Sequence, residues 1–153
     1  MRVLAVDFGE RRIGLAISDP AGWMAQPLEK IDRRPGDADV MRIKEICEEY
    51  AVGEIVVGVP LSLKGEVGPQ AEAALDYADK LKKIIGLPVR TWDERLSTVS
   101  AQRALLEANV SRKKRKHFVD KIAATFILQA YLDSKEMEGR DNWEQENTQQ
   151  NKE

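Results

Sequence analysis

Short runs of hydrophobic residues, spaced as β-strands require, dominate the first part of the chain. Met1 to Asp7 and Arg12 to Ser18 are two such runs, and the short connection between them predicts a β-hairpin. Glu29 to Asp32 predicts a third strand. Asp37 to Tyr50 then places apolar residues at helical spacing and predicts a helix. The first elements are therefore β, β, β and α.

The remaining pattern alternates between strands and helices. Glu54 to Val59 is a continuous β-branched run, typical of a strand buried on both faces, and Val89 to Trp92 predicts a last short strand. Helical spacing predicts helices over Gln70 to Ile85, Ser97 to Ala108 and Phe118 to Leu132. Three strands in series followed by this alternation predict an α/β fold, with helices on both sides of a mixed sheet and no second domain.

The end of the chain differs in composition from the rest. Residues 135–153 are polar and rich in Gln, Asn and Glu, so we expect a folded domain over 1–134 and a disordered tail over 135–153. The tail holds three basic and six acidic residues, which leaves the domain near neutral despite the overall charge of -2. The sequence shows neither an apolar signal region nor about 18 consecutive apolar residues, so we predict a cytoplasmic protein without a membrane segment.

One local concentration of positive charge stands out within the predicted domain. This basic run consists of Arg112, Lys113, Lys114, Arg115 and Lys116. Its charge suits contacts with phosphate groups, although a solvated loop is an alternative explanation. The run indicates a nucleic-acid partner more strongly than the net charge does.

Three acids are candidates for the chemistry of the protein. Asp7 ends the first predicted strand close to Gly9, which allows a backbone turn and a close approach by a cation or phosphate. Glu94 follows the last predicted strand, and ligands gather at the carboxyl ends of strands in open α/β sheets. Asp120 stands in the first turn of an otherwise apolar helix. A turn former, an acid at a helix start and a helix N-cap remain the structural alternatives.

Taken together, the three acids predict a metal site. Carboxylates that converge in a partly buried place repel one another strongly unless a cation lies between them. Hard oxygen ligands favour Mg²⁺ or Mn²⁺, and such ions activate water and bind a scissile phosphate. We therefore expect Asp7, Glu94 and Asp120 to be both the metal ligands and the catalytic residues of a phosphodiesterase.

Basic side chains near these acids are candidates for binding substrate phosphate. Arg11, Arg12 and Arg95 carry guanidinium groups suited to paired phosphate contacts, although ion pairs with neighbouring acids explain them equally well. Lys64 lies in the loop after the central strand, where a substrate clamp and a plain flexible connection are equally good interpretations. The single histidine, His117, and the single cysteine, Cys47, exclude a zinc cluster; we expect a solvated loop residue and a core residue, respectively.

Four motifs in register resemble those of a known family. They are VDFGERRIGLAISD from Val6, IVVGVPLSLKGEVGPQ from Ile55, DERLST from Asp93 and VDKIAA from Val119. Their order and spacing resemble the YqgF family of pre-16S ribosomal RNA nucleases, also described as Holliday junction resolvase-like proteins. The resemblance covers nearly the whole chain from Arg2 to about Asp133.

This resemblance implies a ribonuclease H-like fold with a five-stranded mixed sheet, in a cytoplasmic bacterial protein. By motif position it implies an acidic site at Asp7, Glu94 and Asp120, and for a fourth carboxylate it leaves Asp19 and Asp93 open. It also implies structured RNA as the substrate, in maturation of the 5′ end of 16S rRNA and in contact with ribosomal precursor particles. A resolvase of branched DNA and a non-catalytic RNA- or ribosome-binding module remain alternatives, and we expect a monomer or a weak homodimer.

Overall fold

The structure is a computed structural model that describes residues 1–96 and 122–138. The predicted helix from Ser97 to Ala108, the basic run 112–116, His117 and Asp120 lie outside the described residues. The described strands are β1 (Arg2–Phe8), β2 (Arg12–Ser18), β3 (Ala25–Asp32), β4 (Val52–Val59) and β5 (Val89–Asp93). The described helices are α1 (Ala38–Glu49), α2 (Pro69–Ile85) and α3 (122–138), and none of them is long and apolar enough to cross a membrane.

The strands form the predicted five-stranded mixed sheet, in the order β3-β2-β1-β4-β5. β1, β2 and β3 pair antiparallel as successive hairpins, whereas β4 pairs parallel with both β1 and β5. The carboxyl ends of β1, β4 and β5 therefore meet at one edge of the sheet, which we call the carboxyl edge. Ligands gather at such an edge in open α/β sheets.

Helices cover both faces of the sheet, as the sequence predicts. Along β1, Leu4 and Val6 join the core beneath α1 and α2, whereas Val3 and Ala5 join the core beneath α3. This alternation follows from the two-residue period of a strand, and we call the second side the α3 face. Cys47 is buried in the first core, which confirms its predicted role.

Two predicted boundaries are wrong. β3 begins at Ala25, four residues before the predicted Glu29. Its first half pairs with β2 beyond a bulge, and none of its side chains is fully buried because the strand lies at the edge of the sheet. Such an edge strand has only a weak hydrophobic pattern. Residues 135–138, predicted to begin the disordered tail, continue α3. The rest of the tail lies outside the described residues, and a domain ending at residue 134 stays a prediction.

A buried carboxylate explains why α3 continues past the predicted end. Glu54 of β4 is only 4% exposed, and it accepts hydrogen bonds from the Tyr131 hydroxyl and, at 2.6 Å, from the Lys135 ammonium. Arg90 of β5 adds an ion pair at 3.3 Å. Burial, and next the contact with Glu54, raise the pKa of Tyr131, so its hydroxyl stays protonated and donates. These contacts attach α3 to the amino-terminal half of β4.

This network predicts a difference between two buried tyrosines. Tyr131→Phe should lower the free energy of unfolding by about 1–3 kcal/mol, because it removes a donor from a buried carboxylate. Tyr77→Phe should cause a smaller loss, since the buried Tyr77 hydroxyl has only a weak contact with the Asp39 carboxylate and no hydrogen bond of normal geometry among the described residues. Urea unfolding of the two variants and the parent measures both values. Equal losses would contradict the assigned role of Glu54.

Candidate active site

Asp7 lies at the carboxyl edge and faces α3. It is the penultimate residue of β1, is half-buried, and pairs with Gly14 of β2. Because side chains alternate along a strand, Asp7 shares the α3 face with Val3 and Ala5. Its other neighbour in the sheet is Gly58 of β4, one position beyond the Val6–Val57 pair. Glycines thus flank Asp7 on both adjacent strands, so neither strand places a side chain directly beside it.

The space above Gly58 is filled from two other segments. A Cβ on Gly58 would lie 2.5 Å from Cδ1 of Ile127 in α3 and 3.6 Å from the carboxyl carbon of Glu94. Glu94 begins a single 3-10 turn directly after β5 and is only 4% exposed. The side chain of Glu94 therefore reaches back over the end of β4. Neighbouring strands lie about 4.8 Å apart, so Asp7 and Glu94 occupy the same part of the carboxyl edge, on either side of Gly58.

The structure thus places Asp7 and Glu94 at the same part of the carboxyl edge, and their role as metal ligands stays a prediction. Asp120, the third, lies outside the described residues, and its role stays a prediction. Within residues 1–96 and 122–138 no group of three His, Cys, Asp or Glu side chains could hold a metal ion. A complete three-carboxylate site therefore requires a ligand from the remainder of the chain.

The turn that follows Asp7 depends on a glycine. The Gly9 amide donates to the Arg12 carbonyl at 3.0 Å, and a Cβ on Gly9 would lie 2.8 Å from that same oxygen. Arg11 is exposed on this turn, and Arg12 pairs with Asp32 of β3 at 3.6 Å. Two of the predicted phosphate-binding arginines are therefore placed next to Asp7, while contact with a substrate stays a prediction.

The loop after β4 packs against Arg95, on the other side of the site. Arg95 pairs with Asp93 at 2.7 Å, which lowers the pKa of that carboxyl. Gly65 has a positive φ of 83°, and a Cβ there would lie 3.0 Å from the Arg95 guanidinium. Ser62 and Glu66 hydrogen-bond each other and close the loop, and Lys64 is exposed within it. The loop is therefore an ordered turn beside the site. Arg95 forms the ion pair with a neighbouring acid that the sequence left open as an alternative to phosphate binding.

Of the two acids considered as a fourth carboxylate, the structure places only Asp93 at the carboxyl edge, and a role for it stays a prediction. Asp19 follows the far end of β2, where it accepts the backbone amides of Trp23 at 2.7 Å and Met24 at 3.0 Å. These hydrogen bonds lower the pKa of Asp19 and give it the role of a turn former. Asp93 is occupied by Arg95. Asp19 is therefore excluded from the carboxyl edge by the register of the sheet.

Sequence reasoning missed the residues that shape the site without carrying charge. Gly58 interrupts a run of β-branched residues, and a glycine inside a strand commonly marks a close approach by another segment. That signal was present in the sequence. The identity of the approaching side chains, Glu94 and Ile127, was not, because it depends on how α3 and the turn after β5 pack on the sheet.

Solved structures with the same fold include two whose titles name a Holliday junction. The chain aligns with "T. thermophilus RuvC in complex with Holliday junction substrate" at a TM-score of 0.53 and 15% identity, covering 88% of this chain and 95% of that one. The structure titled as the fowlpox virus Holliday junction resolvase aligns at a TM-score of 0.51 and 13% identity, covering 88% and 99%. The protein therefore has a ribonuclease H-like fold, as predicted.

The family follows from the sequence comparisons. Residues 1–134 match the family described as "RuvX: Holliday junction resolvase", and the chain belongs to it. A Clostridium novyi (strain NT) protein named "Putative pre-16S rRNA nuclease" is 51% identical over 134 residues, covering 88% of this chain and 99% of that protein. A relative of the same name from Clostridium acetobutylicum is 49% identical. The chain is a nuclease, and nucleic acid is its partner.

The contact at Gly58 predicts a rescue between two sites. Gly58→Ala should lower the free energy of unfolding by about 1–3 kcal/mol and reduce nuclease activity, because its methyl group would overlap Cδ1 of Ile127 and press on Glu94. Ile127→Val removes that Cδ1 atom, so the double variant should recover much of the loss. Thermal unfolding of the four proteins in a double-mutant cycle measures the coupling. Additive losses would show that the contact does not limit packing.

Proposed function

We propose that this protein is an endonuclease that requires a divalent metal ion and cleaves phosphodiester bonds in maturation of the 5′ end of pre-16S rRNA. The names of relatives about half identical over the full family domain support the RNA substrate. The proposed setting is the cytoplasm, with ribosomal precursor particles as partners and a monomer or weak homodimer as the active form. The observation that most supports a metal-dependent reaction is the position of Asp7 and Glu94 close to Gly58.

Electrostatics favours a cation at this place. Two carboxylates about 4 Å apart repel by about 4 kcal/mol at the effective dielectric constant of a partly buried site. Glu94 is buried and Asp7 half-buried, so water screens their charges poorly. Oxygen ligands of this kind fit Mg²⁺ or Mn²⁺, with Asp120 as the proposed third ligand. An ion held there would supply Lewis-acid activation of the phosphodiester and neutralise charge on the phosphate.

The other residues of the site have proposed roles in binding the substrate strand. Arg11 and Arg12 stand beside Asp7, and Lys64 and Arg95 stand on the far side of Glu94. Guanidinium and ammonium groups in these positions would contact phosphates before and after the cleaved bond. We assign the same role to the basic run Arg112, Lys113, Lys114, Arg115 and Lys116, which the sequence places shortly before Asp120.

Branched DNA is the second candidate substrate. The family description and the two resolvase structures with the same fold favour it. Resolving a four-way junction requires cuts in two opposed strands and hence two active sites, which a homodimer supplies. The non-catalytic binding module does not fit a chain that belongs to a nuclease family.

Loss of either carboxylate should abolish cleavage. Asp7→Asn and Glu94→Gln should each reduce Mn²⁺-dependent cleavage of labelled precursor 16S rRNA by at least about 100-fold, because each removes a charged metal ligand while keeping the side-chain shape. Cleavage by the purified proteins, with and without Mn²⁺, is measured beside cleavage of a four-way DNA junction.

Asp76→Asn is the matched control, since Asp76 is an exposed acid on α2 away from the carboxyl edge. It should cleave as the parent does, and all three variants should unfold at temperatures close to that of the parent or higher. Full cleavage by folded Asp7→Asn would refute the proposed site. Cleavage of the junction alone would keep the site and replace the substrate.

A further inference from the structure

We propose that Arg33 is a positioning residue that fixes the metal ligand Asp7 by clamping the turn behind it. The proposal rests on the proposed function, because it assigns Asp7 to the metal site. Arg33 follows β3 and is exposed next to Arg34 in a basic stretch, so its sequence context suggests another phosphate contact. Its actual contacts indicate a different role.

The guanidinium of Arg33 is held by the turn between β1 and β2. Its Nη1 donates to the carbonyl of Glu10 at 2.9 Å and to that of Gly9 at 3.2 Å. The backbone amide of Arg33 donates to the Arg11 carbonyl at 2.9 Å. Three consecutive carbonyls of the turn are thus bound by one residue from the end of β3. Without these hydrogen bonds the turn would be freer to move.

The same guanidinium lies on a stack of two aromatic rings. Its central carbon is 4.2 Å from the centre of the Phe8 ring, and Phe8 stacks on Tyr77 of α2 with centroids 4.2 Å apart and planes at 15°. Both the cation–π contact and the ring stacking are favourable. Phe8 is therefore enclosed between the arginine and a helix that packs on the opposite face of the sheet from α3.

Phe8 and Asp7 are consecutive residues of β1, so their side chains point to opposite faces. Enclosing Phe8 on one face fixes the backbone from which the Asp7 carboxylate extends on the other. Metal ligands must be held to within about 0.5 Å to bind and activate well. Residues that orient such ligands are worth roughly 10–100-fold in metal affinity or activity. Arg33 meets this description through contacts with the turn and with Phe8, and it need not touch RNA.

The test compares Arg33→Met with Arg34→Met as a matched control. Arg34 is the adjacent exposed arginine, and no ion pair or hydrogen bond holds its side chain among the residues described. Arg33→Met should lower kcat about tenfold and weaken Mn²⁺ binding about tenfold by calorimetry, with KM for RNA unchanged. Hydrogen exchange at residues 8–12 should accelerate. Arg34→Met should match the parent in these measurements, and Arg33→Lys should recover part of the loss, since an ammonium group also donates to carbonyls and lies against rings.

Two results would overturn the proposal. One is an Arg33→Met protein with parental Mn²⁺ affinity and parental exchange at the turn. The other is a raised KM with a weaker salt dependence of RNA binding at unchanged kcat, which identifies a phosphate contact. If Arg33→Met fails to fold, Arg33→Gln takes its place with the same expected losses. Failure of the proposed function would look different from failure of the Arg33 proposal. In that case the unmodified protein itself would bind no Mn²⁺ at Asp7, or it would cleave RNA in the absence of Mn²⁺.

Discussion

The absence of a side chain at Gly58 is the constraint on which the site depends. Because Gly58 has no Cβ, Ile127 of α3 and the carboxyl group of Glu94 can both approach the end of β4. Asp7 lies directly beside it on β1. The close approach therefore converts two acids far apart in sequence into neighbours in a poorly hydrated place. Repulsion between two such carboxylates is the physical basis of the proposed divalent-cation site.

Two further sets of contacts hold this arrangement from outside. On the α3 face, Glu54 binds the hydroxyl of Tyr131 and the ammonium of Lys135, which fixes α3 over β4. On the opposite face, Phe8 is enclosed by Arg33 and α2. Both are attached to strands that end at the carboxyl edge. The cost of burying Glu54 is offset by its hydrogen bond from Tyr131 and by its ion pairs with Lys135 and Arg90.

Much of the fold could be predicted because hydrophobic periodicity is a local property. The alternating strands, the β-branched run of β4 and the helical spacing of α1 and α2 all have physical causes within a few residues. β3 was predicted too short because none of the side chains of this edge strand is fully buried, so its hydrophobic pattern is weak. The end of α3 was missed because its last turn is polar and is stabilised by the distant Glu54. Long-range partners of this kind leave no periodic signal.

The acidic residues of the site could be predicted from the sequence, whereas the contacts of the neighbouring basic residues could not. Asp7 lies near the end of β1 and Glu94 directly follows β5, and the carboxyl ends of parallel strands share an edge, so their proximity could be expected. The basic residues were harder to assign. Charge alone does not reveal that Arg95 pairs with Asp93 or that Arg33 binds a backbone turn. Recognising such contacts requires the positions of carbonyls and rings, which only the folded chain defines.

The most direct measurement is a crystal structure of the protein grown with Mn²⁺, with anomalous scattering data collected at the manganese edge. We predict an anomalous peak within bonding distance of carboxylate oxygens from both Asp7 and Glu94, close to the Cα of Gly58. A peak elsewhere would show that Asp7 and Glu94 do not hold the metal ion together. The same conclusion would follow if saturating Mn²⁺ gave no peak and the two side chains turned away from each other.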